Sequence, residues 1–232
     1  MSNELLLIFN LIFLYSAVVG AYYLFGKKGL TGFTVFATLA ANIEVLIMVH
    51  AFGMDQTLGN IMFATTFVVT DILSEVEGKE ASKEAVNLGI ATSVLFICVS
   101  QLWLQFTPSS ADWAMPSIQA IFSNTPRLMI AGLAVYAIAQ KFDVWFYHKV
   151  WKLTESRLGD KRKYLWIRNN ASTLFSQLIN SFLFTLLAFG GTMPNELLFE
   201  VFMSSYVIFI VTSIADTPFV YLARKIKENK YS

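Results

Sequence analysis

Long apolar runs separated by short polar connections set the pattern of this chain. The runs cover roughly 4–25, 30–51, 57–74, 86–106, 127–147, 170–190 and 198–222, each 18–25 residues long. At ~1.5 Å per helical residue, such a run crosses a ~30 Å hydrocarbon core. The pattern predicts an all-α fold: a polytopic membrane bundle of about seven transmembrane helices. Turn signals fall between the runs: Gly-Lys-Lys-Gly at 26–29, Phe-Gly-Met-Asp at 52–55, and Gly190, Gly191 and Pro194. Residues 75–85 read as a charged connector, part helical. Residues 107–126 hold three of the five prolines and a short apolar patch, Ile118–Phe122, which either lies on the membrane surface or dips in and returns. Connections this short leave no room for a second domain, so 1–232 is read as one unit. The first run has no basic segment before it and no small-residue cleavage site, so it reads as a retained helix.

Charge orients the pattern. Of 17 Lys and Arg residues, all but Arg127 fall in alternate connections. One side collects Lys27, Lys28, Lys79, Lys83 and Lys141, then the 149–168 loop and the tail from Arg224 to Lys230. Cytoplasmic loops are the ones enriched in Lys and Arg, so the N-terminus is expected outside and the C-terminus inside. With 56% hydrophobic and 14% charged residues, the chain is far from the composition of a soluble domain. Its net charge of +1 gives no reason to expect direct contact with nucleic acid. The single cysteine, Cys98, excludes an internal disulfide and a cysteine-based metal site.

Polar residues inside the runs are the candidates for function, because an ionisable group in a membrane helix needs a partner or a purpose. Helix two carries Asn42 and Glu44 near its middle. Helix three ends with Asp71 and Glu75, four apart on one face. Helix five carries Gln140, Lys141 and Asp143. Helix six opens Arg168-Asn169-Asn170 and continues with Gln177 and Asn180, and helix seven holds Asp216-Thr217-Pro218. For Glu75, Lys141, Asp143 and Arg168 the plain alternative is an interfacial anchor or a structural ion pair. For Ser172, Thr173 and Ser176 it is helix packing.

Catalytic machinery is missing. The histidines, His50 and His148, fall on opposite sides, and no Gly-x-Ser-x-Gly, His-Glu-x-x-His or phosphate loop occurs. The last run has no lysine for a Schiff base. No cofactor and no metal is expected. A polar-lined bundle of this kind reads as a transporter and not as an enzyme.

Five ordered blocks sharpen that reading: Thr70-Asp71-Ile72-Leu73-Ser74-Glu75, Gln140-Lys141-Phe142-Asp143-Val144-Trp145, Leu165 to Thr173, Ser176-Gln177-Leu178-Ile179, and Asp216 to Leu222. Together they resemble the queuosine-precursor transporter family, also called the vitamin-uptake-transporter type. The resemblance runs from about Asn42 to Arg224. It implies import, across a bacterial cytoplasmic membrane, of a 7-deazaguanine that feeds tRNA queuosine: the 7-cyano form, the 7-aminomethyl form or queuine. Three positions depart from the family pattern. Ile47 and Phe209 stand where lysines are expected, and Asn180 stands where an aspartate is usual.

A guanine-type edge presents adjacent N–H donors, which a carboxylate accepts in pairs. Glu44 is therefore the first choice for binding, with Asn42, Gln177 and Asn180 completing the site. Asp71, Glu75, Asp143, Arg168, Asn169, Asn170 and Asp216 form an expected intracellular gate or scaffold. There Arg168 is expected to meet Asp71, Asp143 and Asp216 as candidate partners, its fork able to bridge two carboxylates at once. The other reading is a substrate-capture subunit of an ATP-energised uptake complex. Its partners would be the base, the bilayer, and either further copies of itself or an energising module.

Overall fold

The computed structural model describes residues 2–123, 125–158 and 164–230. It is built from α1 (Asn3–Phe25), α2 (Lys27–Glu44), β1 (Met48–Ala51), β2 (Met54–Thr57), α3 (Gly59–Val76), α4 (Lys79–Trp103), the short α5 (Met115–Phe122), α6 (Pro126–Leu158), α7 (Leu165–Phe189) and α8 (Asn195–Lys230). The seven long helices follow the seven apolar runs. Five of them (α1, α4, α6, α7 and α8) are long and apolar enough to cross a membrane. The other two are 18 residues each, about 27 Å at the usual helical rise. The patch at 118–122 is the second half of α5.

The short α2 corrects the sequence reading. Residues 45–51 were expected to extend helix two to position 51, but they leave the helix and enter a hairpin. β1 and β2 pair antiparallel with Ala51 opposite Met54, leaving Phe52 and Gly53 as a two-residue loop. Both have positive φ, +55° and +73°. That is the geometry whose twist suits a two-residue hairpin, and glycine adopts it without a side-chain penalty. Hydrophobic periodicity cannot tell a short apolar strand from the last turns of a helix. The fold is thus helical with one small hairpin.

The central helix is α3. From Gly59 to Ser74 every residue except Phe63 is buried. It packs on α1, α2, α4, α6 and α8. A helix surrounded by protein needs no lipid-facing stripe, which is why it tolerates Asn60, Thr65, Thr66, Thr70 and Asp71. Polar pairs tie it in place: Gln140 Nε2 donates to Thr66 Oγ1 at 2.7 Å, and Thr70 Oγ1 donates to Gln140 Oε1 at 3.0 Å. The outer helices carry the opposite pattern. Phe9 and Phe13 on α1, Leu95 on α4, Phe182 on α7 and Ile214 on α8 are exposed. Apolar surface of that extent suits lipid rather than water.

Basic residues from distant parts of the chain meet at one end of the bundle. Lys27 pairs with Glu84 at 2.7 Å and Lys227 with Glu77 at 2.9 Å. Lys79, Lys83 and Lys141 line one groove between α4 and α6. At the other end Asn3 donates to the His50 carbonyl at 2.9 Å. Arg127 caps the end of α7 through Leu187 O (3.0 Å) and Gly190 O (2.5 Å). The counted residues Lys161, Arg162 and Lys163 lie outside the described residues.

Candidate functional site

Two polar layers occupy the interior, and α7 contributes to both. The first is charged. On α7, Asn169, Thr173 and Ser176 stand at i, i+4 and i+7, which puts them on one face. Each faces a buried carboxylate from a different helix. Thr173 Oγ1 donates to Asp71 of α3 at 3.0 Å. Ser176 Oγ lies 2.8 Å from Asp143 of α6, and Asn169 Nδ2 donates to Asp216 of α8 at 2.6 Å. All three acids are essentially inaccessible. The remaining oxygens, Asp71 Oδ1 and Asp143 Oδ2, are buried with no hydrogen-bond partner among the described residues. Asn170 Nδ2 donates to Thr217 Oγ1 at 2.7 Å, fastening α7 to α8 just before Pro218. That proline leaves one backbone carbonyl of α8 without its helical donor.

Arg168 corrects a second expectation. Its partners were expected among Asp71, Asp143 and Asp216, but its fork closes on Glu75. Nε reaches Oε2 at 2.9 Å and Nη2 reaches Oε1 at 2.7 Å. Tyr147 Oη donates to the same carboxylate at 2.7 Å, Arg224 lies 3.5 Å from it, and Trp151 stacks on the guanidinium at 4.2 Å. Arg168 is one residue from Asn169, so it points about 100° around α7 from the face that meets the aspartates. The planar fork matches a single carboxylate through two parallel bonds. The interior therefore separates an ion pair, Arg168–Glu75, from an acidic trio held by neutral donors.

The second layer is uncharged and open. A cavity between α2, α3, α4, α6, α7 and α8 encloses about 690 Å³ of atom-free space, counting the part open to solvent. Only about 60 Å³ of it is wide enough for water, so the cavity is narrow. Asn42 and Asn180, two of the residues singled out from the sequence, line it. Asn42 Nδ2 is occupied by Thr38 O (2.7 Å) and Ser93 Oγ (3.2 Å). Asn180 Nδ2 donates to Gln177 Oε1 at 3.2 Å. Asn42 Nδ2 thus uses both of its N–H groups and Asn180 Nδ2 one of two, and neither amide oxygen accepts a hydrogen bond among the described residues.

Gln177 stands behind Asn180 and does not line the cavity. Glu44 does not line it either. The α2 stripe on the wall is Thr38, Ala41, Asn42 and Val45, and Glu44 projects from the side of that stripe. Its Oε2 is buried without a hydrogen-bond partner among the described residues, and its backbone lies against Gly59 at the hairpin end of the cavity.

Other lining residues were not singled out from the sequence. Asn60 Nδ2, Tyr136 Oη and Ser181 Oγ are buried in the wall and have no hydrogen-bond partner among the described residues. Phe63 packs edge-on against Tyr136 at 6.0 Å and tilts against Phe209 at 6.2 Å, giving an aromatic wall. Tyr136 holds its place because Gly89 faces it. A Cβ at that position would collide with the Tyr136 hydroxyl. Unpaired buried polar groups are costly, so a group of them around an open space is where a ligand's polar atoms would recover the loss.

Comparison with known proteins bears on what this cavity serves. Residues 57–223 match the family described as "Putative vitamin uptake transporter". The chain belongs to this family. A relative from Bacillus subtilis (strain 168), "Probable queuosine precursor transporter", is 35% identical over 229 residues, covering 99% of this chain and 98% of that protein. No solved structure matches. The family match covers α3 to α8, so both polar layers lie largely within it. Membership in a transporter family, together with five apolar helices of spanning length, makes this a multi-pass membrane protein rather than an enzyme.

Proposed function

We propose that this chain imports a queuosine precursor, a 7-deazaguanine base, and that the uncharged cavity is where the base binds. The observation that carries the site is the cavity wall: two amides with their oxygens available as acceptors, three unpartnered polar groups and a row of aromatic rings. A guanine-type edge places its N–H donors on Asn42 and Asn180. Its ring acceptors take donors from Asn60, Tyr136 and Ser181. The flat ring packs on Phe63 and Phe209. Gln177 positions Asn180, and Glu44 flanks the hairpin end. The charged layer built on Asp71, Glu75, Asp143, Arg168, Asn169, Asn170 and Asp216 serves as a scaffold and inner closure beneath the base.

In the cell membrane we place all seven long helices across the bilayer, with the lysine-rich end in the cytoplasm and the N-terminus outside. Cysteine labelling of the 26–29 turn from outside an intact cell would contradict that orientation.

The function is tested in a host unable to make the precursor. Expression of this chain with added base restores queuosine in tRNA, and failure with every 7-deazaguanine would refute the proposal. Uptake by the purified protein in liposomes without ATP separates a self-sufficient transporter from a capture subunit that needs an energising module.

A further inference from the structure

We propose that the groove between α4 and α6 binds the phosphate headgroup of an anionic phospholipid. Only the choice of leaflet, the cytoplasmic one, rests on the orientation proposed above.

Lys79 and Lys83 line the groove from α4, and Lys141 and Trp145 line it from α6. A second hollow adjoins it, sharing Lys79 and Trp145 and adding Lys149 and Lys152. The first hollow encloses about 870 Å³ of atom-free space, counting the part open to solvent, and about 490 Å³ of it is wide enough for water. That is open space on the scale of a headgroup, unlike the narrow inner cavity.

Other basic residues at this end have acids against them: Lys27 has Glu84 at 2.7 Å, Lys227 has Glu77 at 2.9 Å and Arg224 has Glu75 at 3.5 Å. Along the groove only Lys83 has one among the described residues, Glu80 at 2.8 Å. Lys149 Nζ rests on the Trp145 ring instead, 4.7 Å from its centre. A cleft lined by one sign of charge focuses its field and draws in a counter-ion, and an anion shared by these lysines relieves their mutual repulsion.

The faces that continue from the groove mark the anion as a lipid. On α6, Ile138, Lys141 and Trp145 stand at i, i+3 and i+7, so they share a face. On α4, Lys83, Asn87 and Val94 stand at i, i+4 and i+11 and share one as well. Ile138, Val94 and the neighbouring Leu95 are exposed. Each face is thus basic at the inner end and apolar beyond it, with the exposed Trp145 ring among the lysines. Tryptophan favours the headgroup level, and basic pockets between spanning helices take anionic headgroups. A free phosphate would use the lysines and leave the apolar faces uncovered. A headgroup held from both sides ties α4 to α6, whose Ser93 and Tyr136 line the inner cavity.

The test is titration of the delipidated full-length protein in neutral detergent with phosphatidylglycerol, the bound lipid being counted by native mass spectrometry. We expect saturable binding. Phosphatidylcholine, which has no net charge, is expected to bind about tenfold more weakly. Lys79→Ala combined with Lys141→Ala should weaken phosphatidylglycerol binding by about tenfold. Lys28→Ala combined with Lys225→Ala removes equal charge elsewhere at the same end and should change it by less than about twofold. A melting curve without lipid checks that each variant is folded. Inorganic phosphate at the lipid's concentration should leave the lipid bound.

No saturable binding, equal affinity for the two lipids, equal loss in both variants, or displacement by inorganic phosphate overturns the proposal. Detergent micelles have no sides, so these outcomes do not depend on the orientation. Import of a queuosine precursor is read separately, by uptake of the base.

Discussion

The two polar layers share α7, yet they are built on opposite principles. The layer at Arg168–Ser176 gathers charge: each acid has a donor from α7 or a guanidinium against at least one of its oxygens. The layer at Asn180–Ser181 contains no charge, leaves donors unpaired and surrounds open space. In a membrane protein the conspicuous residues are the charged ones, because each is expensive to bury. Here they are assigned to holding four helices together. The residues assigned to the ligand are amides, hydroxyls and rings that cost little each and are easy to overlook.

That contrast can be broken by substitution, beginning with the ion pair. Glu75→Ala leaves Arg168 buried without its bidentate partner. Removing one member of such a pair costs about 3–5 kcal/mol. We expect a steep fall in the melting temperature of the detergent-solubilised protein and in folded yield. A variant that melts normally would remove Glu75 from the scaffold.

Gly89→Ala comes next. The new methyl meets the Tyr136 hydroxyl, an overpacking of roughly 1–3 kcal/mol. It is expected to lower both stability and base affinity. Adding Tyr136→Phe should restore part of the lost melting temperature, because it removes the closest atom while the ring carbon behind it still crowds the new methyl, and a double-mutant cycle measures that coupling.

A smaller effect divides the layers cleanly. Tyr136→Phe alone takes one ligand hydrogen bond, about 0.5–1.5 kcal/mol of affinity, and leaves stability unchanged. Thr173→Val removes the donor to Asp71 and should do the reverse, lowering the melting temperature while the dissociation constant stays put. If Thr173→Val weakened binding more than Tyr136→Phe, the roles assigned to the two layers would be exchanged.

The smallest expected change is Lys27→Ala. It breaks an exposed pair with Glu84 worth about 0–1 kcal/mol, and it should move neither readout measurably.

The sequence makes the helices legible because a spanning helix announces itself by length and apolarity. It also shows α7 as the polar helix, since Asn169, Thr173, Ser176, Gln177 and Asn180 recur at helical spacing. What stays hidden depends on partners. Whether Arg168 meets Glu75 or an aspartate is decided by a rotation of about 100° on α7 relative to its neighbours, which no spacing within one segment encodes. The hairpin at 48–57 is concealed because Leu, Ile, Met and Val serve a helix or a strand equally in a short run. The cavity escapes notice for a third reason. Asn60 sits at the edge of its apolar run and Tyr136 is one of five aromatics in another, and they become a site only when six helices converge.

The most direct measurement is a structure of the protein with 7-cyano-7-deazaguanine bound. The account predicts the base between Asn42 and Asn180, its ring against Phe63 and at least one of Asn60, Tyr136 and Ser181 within hydrogen-bonding distance. The Arg168–Glu75 pair and the Thr173–Asp71 bond remain intact below it. Density for the base on Asp71, Asp143 or Asp216, with the upper cavity empty, would contradict it.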